Sequence, residues 1–359
     1  MSLPNSQQTL ALTTKQGAWE LYSYFVDKPE AGEIAVRIEA TALNPIDWKV
    51  QATSYHYFLK EYPAIRGSDA AGVVAAVGEG VTNFAVGDRV DGYRTSTSRA
   101  FQGSFTNRLA TFKHVKMIAA KVPDNITLDQ AATIPSGLAA AAVALYNTDN
   151  GIGLVAPWTE GGRGKYRAQP FVLFGGSTSV GQFVLQLAQL SGFSPIITTA
   201  SSQNFELVKS LGATHTIDRS LSADKIAAAV KEITAEPVKV VYDAISLEST
   251  QLQAYSVLSP GGSLILVLAS LIPEDQLSAD KKIVSTLGNF HPQNNRELGK
   301  GLYANLTKYL ETGEIKPNAV EVLPNGLIGI VDGLARLQAD KVSGRKLVVH
   351  PQETQQTPP

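Results

Sequence analysis

The sequence predicts an α/β protein of two domains, a β-barrel unit and a doubly wound parallel sheet. Its 359 residues exceed what one hydrophobic core usually holds. The first 130 residues contain short apolar runs broken by glycine and proline, which indicates a compact barrel. Further along, apolar runs alternate with amphipathic segments of about ten residues, which indicates parallel βαβ units. We place the barrel at 1–130, completed by 276–359, and the parallel sheet at 131–275.

Strands of the first domain are recognised by the alternation of apolar and polar residues. Residues 33–40 show the period of two that is expected of a half-buried strand. Residues 71–77 form a run of small apolar side chains that ends at a Gly-Glu-Gly turn. The Gly-Asp pair at 87–88 predicts a further turn, followed by the start of another strand.

The second domain is predicted from the regular order of strand and helix. An alanine-rich helical segment at 128–146 and a glycine-rich loop at 147–170 precede it. Its five strands are expected at 170–174, 194–199, 215–217, 238–244 and 263–268. Its helices are expected at 180–190, 204–211 and 223–233, and Gly192 stands where the first of them should end.

The strand–helix alternation is predicted to stop near residue 275. Two helices, at 297–311 and 327–337, then precede a short terminal strand at 346–350. We expect that strand to return to the barrel and pair with it. This arrangement would give two lobes with a ligand-binding cleft between them.

Composition excludes several functional classes. The chain carries 31 Lys and Arg against 32 Asp and Glu, so no long-range field favours nucleic acid or an anionic membrane. It contains no cysteine, which excludes disulfides, iron–sulfur clusters, thiolate zinc sites and a cysteine nucleophile. The most apolar run, 131–145, is too short to span a bilayer, and the N-terminus lacks a signal-peptide pattern. We expect a cytoplasmic protein.

A glycine-rich segment follows the first strand of the second domain. Residues 171–181 read Phe-Val-Leu-Phe-Gly-Gly-Ser-Thr-Ser-Val-Gly, and a dinucleotide pyrophosphate binds at such a strand-to-helix turn. The spacing is not a strict G-x-G-x-x-G, so an ordinary turn is the alternative, but the five alternating units favour the cofactor. The expected cofactor contacts are Gly175, Gly176, Ser177, Thr178, Ser179, Val180 and Gly181.

The end of the second strand distinguishes NADH from NADPH. An NAD site places Asp or Glu there to hold the ribose 2′-hydroxyl. This chain instead has Ser201, Ser202, Gln203 and Asn204. Lys209 and Arg219 follow and are candidates to meet a 2′-phosphate, although each could be an ordinary solvated side chain. The missing acid favours NADPH, because a carboxylate would repel that phosphate.

Five motifs, in order and over nearly the whole chain, resemble the medium-chain dehydrogenase/reductase superfamily. They are Asn-Pro-Ile-Asp-Trp-Lys at 44–49, Gly-Ser-Asp-Ala-Ala-Gly at 67–72, Val-Gly-Asp-Arg-Val at 86–90, Gly-Ser-Phe at 103–105 and Ala-Ala-Thr-Ile-Pro at 131–135. Within the superfamily the chain looks most like the zinc-independent quinone-reductase-like branch, in particular fungal trans-acting enoyl reductases and toxin-cluster reductases. The resemblance implies a GroES-like catalytic domain and a Rossmann NADP(H)-binding domain.

The resemblance also assigns roles to single positions. Zinc alcohol dehydrogenases have a Cys ligand where Asn44 stands and a His ligand where Ser68 stands, and neither replacement suits tetrahedral zinc. The structural zinc lobe has no counterpart in the short, cysteine-free segment 91–102. The candidate catalytic residues are Lys49, Asp47 and Ser136, with Tyr55 and Tyr57 as weaker proton-donor candidates. Further candidate cofactor contacts are Lys49, Val267, Leu268, Arg345 and Lys346.

These observations together predict an NADPH-dependent, zinc-independent reductase of the C=C bond of α,β-unsaturated carbonyl compounds. The substrate would be an enone or an enoyl thioester, free or bound to a carrier protein. Three basic side chains of the long loop, at 163, 165 and 167, could meet the phosphates of such a thioester or be solvated. The alternatives are a quinone or aldehyde/ketone reductase on the same fold, and a non-catalytic nucleotide-binding protein. Neither nucleic acid nor membrane is an expected partner, and both a monomer and a homodimer are compatible with the resemblance.

Overall fold

The computed structural model describes residues 5–26, 28–53, 55, 59, 61–93, 104–106, 109–112 and 118–355. The chain divides into two compact units. The first comprises Met1–Ser136, Tyr303–Gly313 and Pro317–Pro359, and the second comprises Gly137–Leu302 and Glu314–Lys316. Tyr57, Gly103 and most of the segment 91–102, which were singled out above, lie outside the described residues.

The regular elements are numbered here in chain order. The strands are β1 Ser6–Leu12, β2 Trp19–Phe25, β3 Ile34–Ala42, β4 Ala64–Ile65, β5 Asp69–Val77, β6 Arg89–Tyr93, β7 Leu109–Phe112, β8 Ala119–Lys121, β9 Phe171–Phe174, β10 Ile196–Ala200, β11 His215–Asp218, β12 Val240–Asp243, β13 Ser263–Leu266, β14 Lys282–Ser285, β15 Ala319–Leu323 and β16 Arg345–Val349. The helices are α1 Pro45–Ala52, α2 Leu128–Ala132, α3 Pro135–Tyr146, α4 Ser179–Ser191, α5 Phe205–Ser210, α6 Ala223–Ile233, α7 Glu248–Val257, α8 Gln293–Glu311 and α9 Gly329–Gln338.

The first unit is the β-rich, GroES-like domain that the sequence predicts. Among the described residues one sheet runs β2-β1-β4, and the other runs β15-β16-β3-β5-β6-β8 with β7 also paired to β3. The terminal strand β16 pairs antiparallel with β3, where Val348 faces Ala42. The predicted return of the chain end to the N-terminal barrel is therefore confirmed. Apolar side chains of β1, β16 and α9 share one core, which fastens the last strand in place.

The second unit is the predicted Rossmann domain. Its sheet has six parallel strands in the order β11-β10-β9-β12-β13-β14 within the described residues. The chain order reverses between β9 and β12, which is the switch point at which such sheets bind dinucleotides. Strands β9, β10 and β12 are buried throughout, as expected when helices cover both faces of a parallel sheet. Gly192 ends α4 with φ of +89°, as its position after the last apolar residue predicts.

Two predicted boundaries were wrong. The alternation continues past residue 275, because β14 adds a sixth strand next to β13. Its pattern was missed because it is a short strand at the sheet edge, where Lys282 and Ser285 are exposed. The strand β13 ends at Leu266, so Val267 and Leu268 follow the strand rather than belong to it. No helix of the described residues is long and apolar enough to cross a membrane.

Asp91 on β6 is a buried acid whose carboxyl oxygens have no hydrogen-bond partner of standard geometry among the described residues. It is fully inaccessible, and its register neighbour on β5 is Ala71, two residues from Asp69. Burial raises the pKa of Asp91 to about 8, the nearby amides of Asp91 and Ala120 oppose the shift, and the charge of Asp69 adds to it. The Asp91 carboxyl is therefore largely neutral at pH 7.

The raised pKa of Asp91 predicts a pH-dependent stability. A folded-state pKa of about 8 against 3.8 means that the native state keeps a proton that the unfolded state has released. Stability must then fall as pH rises from about 4 to 8. In Asp91→Asn the part of this slope that Asp91 contributes should disappear, and the free energy of unfolding at pH 7 should rise by about 2–4 kcal/mol. Urea unfolding at several pH values measures this, with exposed Asp124→Asn as the control; an unchanged slope in Asp91→Asn would contradict the neutral acid.

Candidate active site

Helix α1 places the first group of candidate residues. Pro45 occupies its first turn, where the missing N–H costs nothing, and Asn44 precedes it as the N-cap. The Asp47 carboxylate reaches back and accepts a hydrogen bond from the backbone N–H of Asn44 at 2.9 Å, as in a capping box. The motif at 44–49 is therefore a helix start, and Lys49 projects from its second turn.

The Lys49 ammonium is half-buried beside two aromatic rings. Its Nζ lies 5.7 Å from the centroid of the Trp48 ring and 6.0 Å from that of Tyr55, within the range of a cation–π contact. Burial lowers the pKa of Lys49, and the charge of Asp340 partly offsets this effect. The buried indole N–H of Trp48 has no acceptor among the described residues. Of these two donors, the half-exposed ammonium of Lys49 is the one that an oxygen of a ligand could reach.

Asp69 is the centre of a buried polar cluster, called here the Asp69 network and made of Asn44, Asp69, Ser136 and Lys346. Its Oδ1 accepts from the backbone N–H of Ser136 at 2.7 Å and from the Ser136 hydroxyl. Its Oδ2 accepts from Asn44 Nδ2 at 3.0 Å and from Lys346 Nζ. Four donors thus compensate one buried carboxylate, as burial of a charge requires. The network joins the starts of α1, β5, α3 and β16.

Lys346 lies inside the protein rather than on a cofactor-binding surface. Its Nζ donates to Asp69 Oδ2, to Asn44 Oδ1 at 3.1 Å and to the carbonyl of Thr133 at 3.4 Å. All three N–H groups are therefore used within the protein, and none is left for a phosphate. On β16 only Arg345 is exposed, whereas Lys346 and the three residues after it are buried. We therefore replace the predicted cofactor contact of Lys346 by a structural role.

The remaining candidates of the first unit differ in accessibility. Asp47 is fully buried, and burial raises its pKa to about 6 while the charge of Arg66 lowers it. Its Oδ1 has no hydrogen-bond partner among the described residues. Ser136 is partly exposed, and its hydroxyl proton is committed to Asp69. Arg345 is exposed, and its guanidinium lies 3.6 Å from Glu321.

The turn after β9 has the geometry of a phosphate site. Gly175 has φ of +82°, and an added Cβ would come 2.6 Å from Ile245 Cγ1. A Cβ on Gly176 would lie 2.3 Å from Thr198 Oγ1, and one on Gly181 would lie 2.2 Å from the carbonyl oxygen of Gly175. The glycines therefore allow the turn to pack directly onto the strand and the helix.

The start of α4 offers unpaired backbone donors to an anion. Thr178 caps the helix, because its Oγ1 accepts from the N–H of Gly181 at 3.0 Å. The N–H groups of Ser177 and Val180 make no hydrogen bond in the described part of the chain. Such first-turn donors and the helix dipole favour a phosphate. The residues present therefore fit the pyrophosphate of a dinucleotide.

The ends of β10 and β11 lie next to each other. Ala200 pairs with Asp218, and the backbone N–H of Arg219 donates to the Ala200 carbonyl at 3.0 Å. The exposed Arg219 therefore follows directly beside Ser201, which begins the acid-free segment 201–204. Lys209 lies on α5, and its ammonium is 3.0 Å from Glu206. Of the two predicted bases, Arg219 is the one whose backbone is hydrogen-bonded to the end of β10.

The structure brings together most of the predicted residues of the second unit. The glycine turn, the segment 201–204 and Val267 all follow strands whose carboxyl ends lie at one edge of the parallel sheet. Sequence reasoning assigned no role to Asp69 or Trp48, although both belong to the quoted motifs. It also missed Asp243, Ser246 and Gln251, whose polar side chains are buried near the same edge.

Comparison with known proteins identifies the family. Residues 30–116 match the alcohol dehydrogenase GroES-like domain, and residues 179–289 match the zinc-binding dehydrogenase family. The trans-enoyl reductase himH of Aspergillus japonicus is 32% identical over 330 residues, which cover 88% of this chain and 89% of that protein. The chain belongs to the medium-chain dehydrogenase/reductase superfamily.

Two further relatives extend the comparison. The enoyl reductase component lovC of the lovastatin nonaketide synthase, from Aspergillus terreus, is 29% identical and covers 88% of each chain. A mycobacterial protein solved in complex with NADPH superposes with a TM-score of 0.75 at 24% identity and covers 96% of this chain and all of that one. Members of this superfamily use NAD(P)H.

The matched family description mentions zinc, which the residues at the corresponding positions do not fit. Asn44 donates to Asp69 and accepts from Lys346, and Ser68 offers a neutral hydroxyl. An amide and an alcohol are not among the thiolate, imidazole and carboxylate ligands that hold tetrahedral zinc. An ammonium is already bonded to this donor set, and a second cation there would be repelled. No group of three His, Cys, Asp or Glu in the described ranges could hold a metal ion.

Proposed function

We propose that this chain is an NADPH-dependent, zinc-independent reductase of the C=C bond in α,β-unsaturated carbonyl compounds, including enoyl thioesters. The observation that carries the proposal is the Asp69 network, in which the Lys346 ammonium, rather than a metal, is bonded to Asn44 and Asp69. Such a site offers no Lewis acid to ionise an alcohol. The names of the relatives, trans-enoyl reductases among them, support reduction of a carbon–carbon double bond.

The proposed chemistry needs only what the described residues can supply. NADPH, when bound, would supply a hydride to the β-carbon of the substrate. The electrons of the C=C bond would move to the carbonyl oxygen, and a proton from solvent water would add at the α-carbon to give the saturated product. Hydrogen-bond donors stabilise the developing oxyanion most where water is excluded. We assign that role to the half-buried ammonium of Lys49.

The Gly175 turn and the start of α4 would hold the pyrophosphate, and Arg219 would face the 2′-phosphate. Ser136, which Asp69 holds in place, is proposed to act nearer the reacting carbonyl. Asp47 is fully buried and its Oδ2 accepts from the N–H of Asn44, so we assign it to the start of α1 rather than to the substrate. Because lovC is by name a component of a polyketide synthase, we propose that an enoyl thioester on a carrier protein is one form of the substrate.

The decisive experiment measures NADPH oxidation against enones, enoyl thioesters, quinones and aldehydes, with product analysis. The proposal expects saturated carbonyl products from the first two classes. Hydroquinones or alcohols as the main products would instead establish the quinone or carbonyl reductase. Tight NADPH binding without oxidation by any compound would establish a non-catalytic nucleotide-binding protein.

Lys49→Met should lower kcat for an enone by at least about tenfold, because one charge-assisted hydrogen bond to the oxyanion is lost. In the pH–rate profile of the parent enzyme, the alkaline decrease in activity should come at a lower pH than with an ordinary lysine, because burial lowers the pKa of Lys49. In Lys49→Arg this alkaline decrease should move to higher pH. An unchanged kcat in Lys49→Met would show that Lys49 does not stabilise the oxyanion.

NADPH should bind more tightly than NADH. Arg219→Gln should raise the Kd for NADPH by about tenfold and leave the Kd for NADH unchanged. The physical reason is the loss of one exposed charge-assisted contact to the 2′-phosphate. Lys209→Gln is the matched comparison and should have a smaller effect, because Glu206 already neutralises the Lys209 ammonium. Equal affinities of the parent protein for both cofactors, measured by fluorescence titration, would refute the specificity argument.

A further inference from the structure

A buried polar cluster at the carboxyl edge of the parallel sheet has no part in the function proposed so far. We call it the Gln251 clamp, and it consists of Asp243, Ser246, Thr250 and Gln251. Asp243, Ser246 and Gln251 are at most 1% exposed, and every side chain of the clamp donates or accepts at least two hydrogen bonds. The clamp lies between the ends of β12 and β13.

The first half of the clamp shapes the turn after β12. Oδ1 of Asp243 accepts from the backbone N–H groups of Ile245 and Ser246, each at 2.9 Å, and Oδ2 accepts from the Thr250 hydroxyl at 2.7 Å. An aspartate that bonds the amides two and three residues ahead fixes a tight turn. Ser246 consequently has φ of +58°, a conformation that favours glycine.

The Ser246 hydroxyl connects this turn to β13. It donates to the carbonyl of Asp243 and accepts from the N–H of Val267, each at 2.9 Å. The ladder between β12 and β13 ends with Asp243 opposite Leu266. The hydroxyl therefore replaces the backbone acceptor that the next residue of β12 would have supplied. A glycine would adopt the turn more easily but could not make this bond.

Gln251 fastens the segment after β13 at two further points. Its Nε2 donates to the carbonyls of Ser246 and Ala269, each at 3.0 Å, and its Oε1 accepts from the N–H of Leu271 at 2.8 Å. Together with Ser246 it anchors Val267, Ala269 and Leu271. Leu268, which is half-buried, lies between two anchored residues. The clamp therefore fixes the backbone of the segment 267–271 at three points through side chains that, apart from Thr250, are buried.

The position of this segment in the sheet indicates which part of a dinucleotide it meets. The glycine turn after β9 and the ribose-recognising end of β10 belong to the half of the sheet that binds the adenosine side. The segment 267–271 lies in the other half, beyond the switch point between β9 and β12. Ile245 also packs where a Gly175 Cβ would be, so the turn shaped by Asp243 borders the pyrophosphate site.

We propose that the Gln251 clamp positions the nicotinamide half of the cofactor by fixing the segment 267–271, with Gln251 and Ser246 as positioning residues. The proposal rests on the proposed use of NADPH. It requires that loss of the clamp weakens contacts to the nicotinamide half and leaves those to the adenosine half intact.

The experiment compares affinities for NADPH and for adenosine 2′,5′-bisphosphate, which is the adenosine half alone. In Gln251→Met the Kd for NADPH should rise by about tenfold or more, since a displaced contact segment no longer matches the ligand. The Kd for the bisphosphate should stay within about twofold of the parent value. NADPH binding is followed by nicotinamide fluorescence and bisphosphate binding by calorimetry. Gln253→Met is the matched control, because Gln253 is on the same helix and makes none of these bonds.

Ser246→Gly keeps the test decisive if Gln251→Met does not fold. Glycine suits the positive φ, so the fold should be retained while the hydrogen bond to Val267 is lost. The Kd for NADPH should again rise while the Kd for the bisphosphate stays near the parent value. Equal weakening of both ligands, no weakening of either, or the same effect in Gln253→Met would overturn the proposal. A parent protein that binds the bisphosphate but not NADPH would refute the proposed function itself, whereas variants that bind NADPH normally would refute only the clamp.

Discussion

Lys346→Met should lower the free energy of unfolding by about 3–5 kcal/mol, the usual result of removing one partner of a buried ion pair. Lys346 is 3% exposed and Asp69 is fully buried, so water cannot replace the lost ammonium. The substitution would leave a carboxylate inside the barrel with three donors instead of four, and the Asn44 and Thr133 oxygens would each lose a donor. Urea unfolding of the parent and variant measures the difference.

Two controls separate loss of charge compensation from a general effect of methionine. Lys341→Met, at an exposed position, should change stability by less than about 0.5 kcal/mol. Adding Asp69→Asn to Lys346→Met should restore part of the loss, because the uncompensated charge is then gone. A double variant less stable than Lys346→Met alone would show that the ion pair is not the source of the stability.

Gly181→Ala should weaken NADPH binding by about a hundredfold. Its new Cβ would lie 2.2 Å from the carbonyl oxygen of Gly175 and 2.9 Å from the Cα of Gly176. Both atoms are backbone, so the turn itself must move and with it the N–H groups of Ser177 and Val180. Loss of two charge-assisted hydrogen bonds at roughly 1.5 kcal/mol each gives an effect of that size.

The control for this substitution is a glycine elsewhere in the chain. In Gly313→Ala the added Cβ would meet no atom within 4 Å, although φ is +70°. That variant should bind NADPH like the parent even if it loses a little stability. Thermal unfolding of both variants shows whether Gly181→Ala remains folded; normal NADPH affinity in a folded Gly181→Ala would refute the phosphate site at this turn.

The Rossmann half of the fold could be predicted largely from local patterns. The helix starts and stops around Thr178 and Gly192 depend on neighbours in the sequence, and the glycine spacing of the turn is local as well. The edge strand β14 could not be predicted in this way, because it is short and partly exposed. Its strand conformation depends on pairing with β13 rather than on its own composition.

The polar contacts of the candidate site in the first unit could not be predicted from the spacing of residues in the sequence, because they join residues that are far apart in the chain. The sequence around Lys346 gave no sign that its ammonium is buried against Asp69, 277 residues earlier. The structure places Lys49 half-exposed on α1, and its catalytic role is a proposal. The Gln251 clamp combines side chains whose function as hydrogen-bond partners becomes visible only when β12 and β13 are adjacent.

The late position of β16 in the chain has a consequence for how the protein is made. The barrel strands β3 and β5 are synthesised early, but the ammonium that neutralises Asp69 arrives more than 270 residues later. Domains generally fold as units during synthesis, and the barrel sheet lacks β16 and its ammonium until that strand has been synthesised. We therefore expect the Rossmann unit, most of which precedes β15 and β16 in the chain, to fold before the barrel is complete.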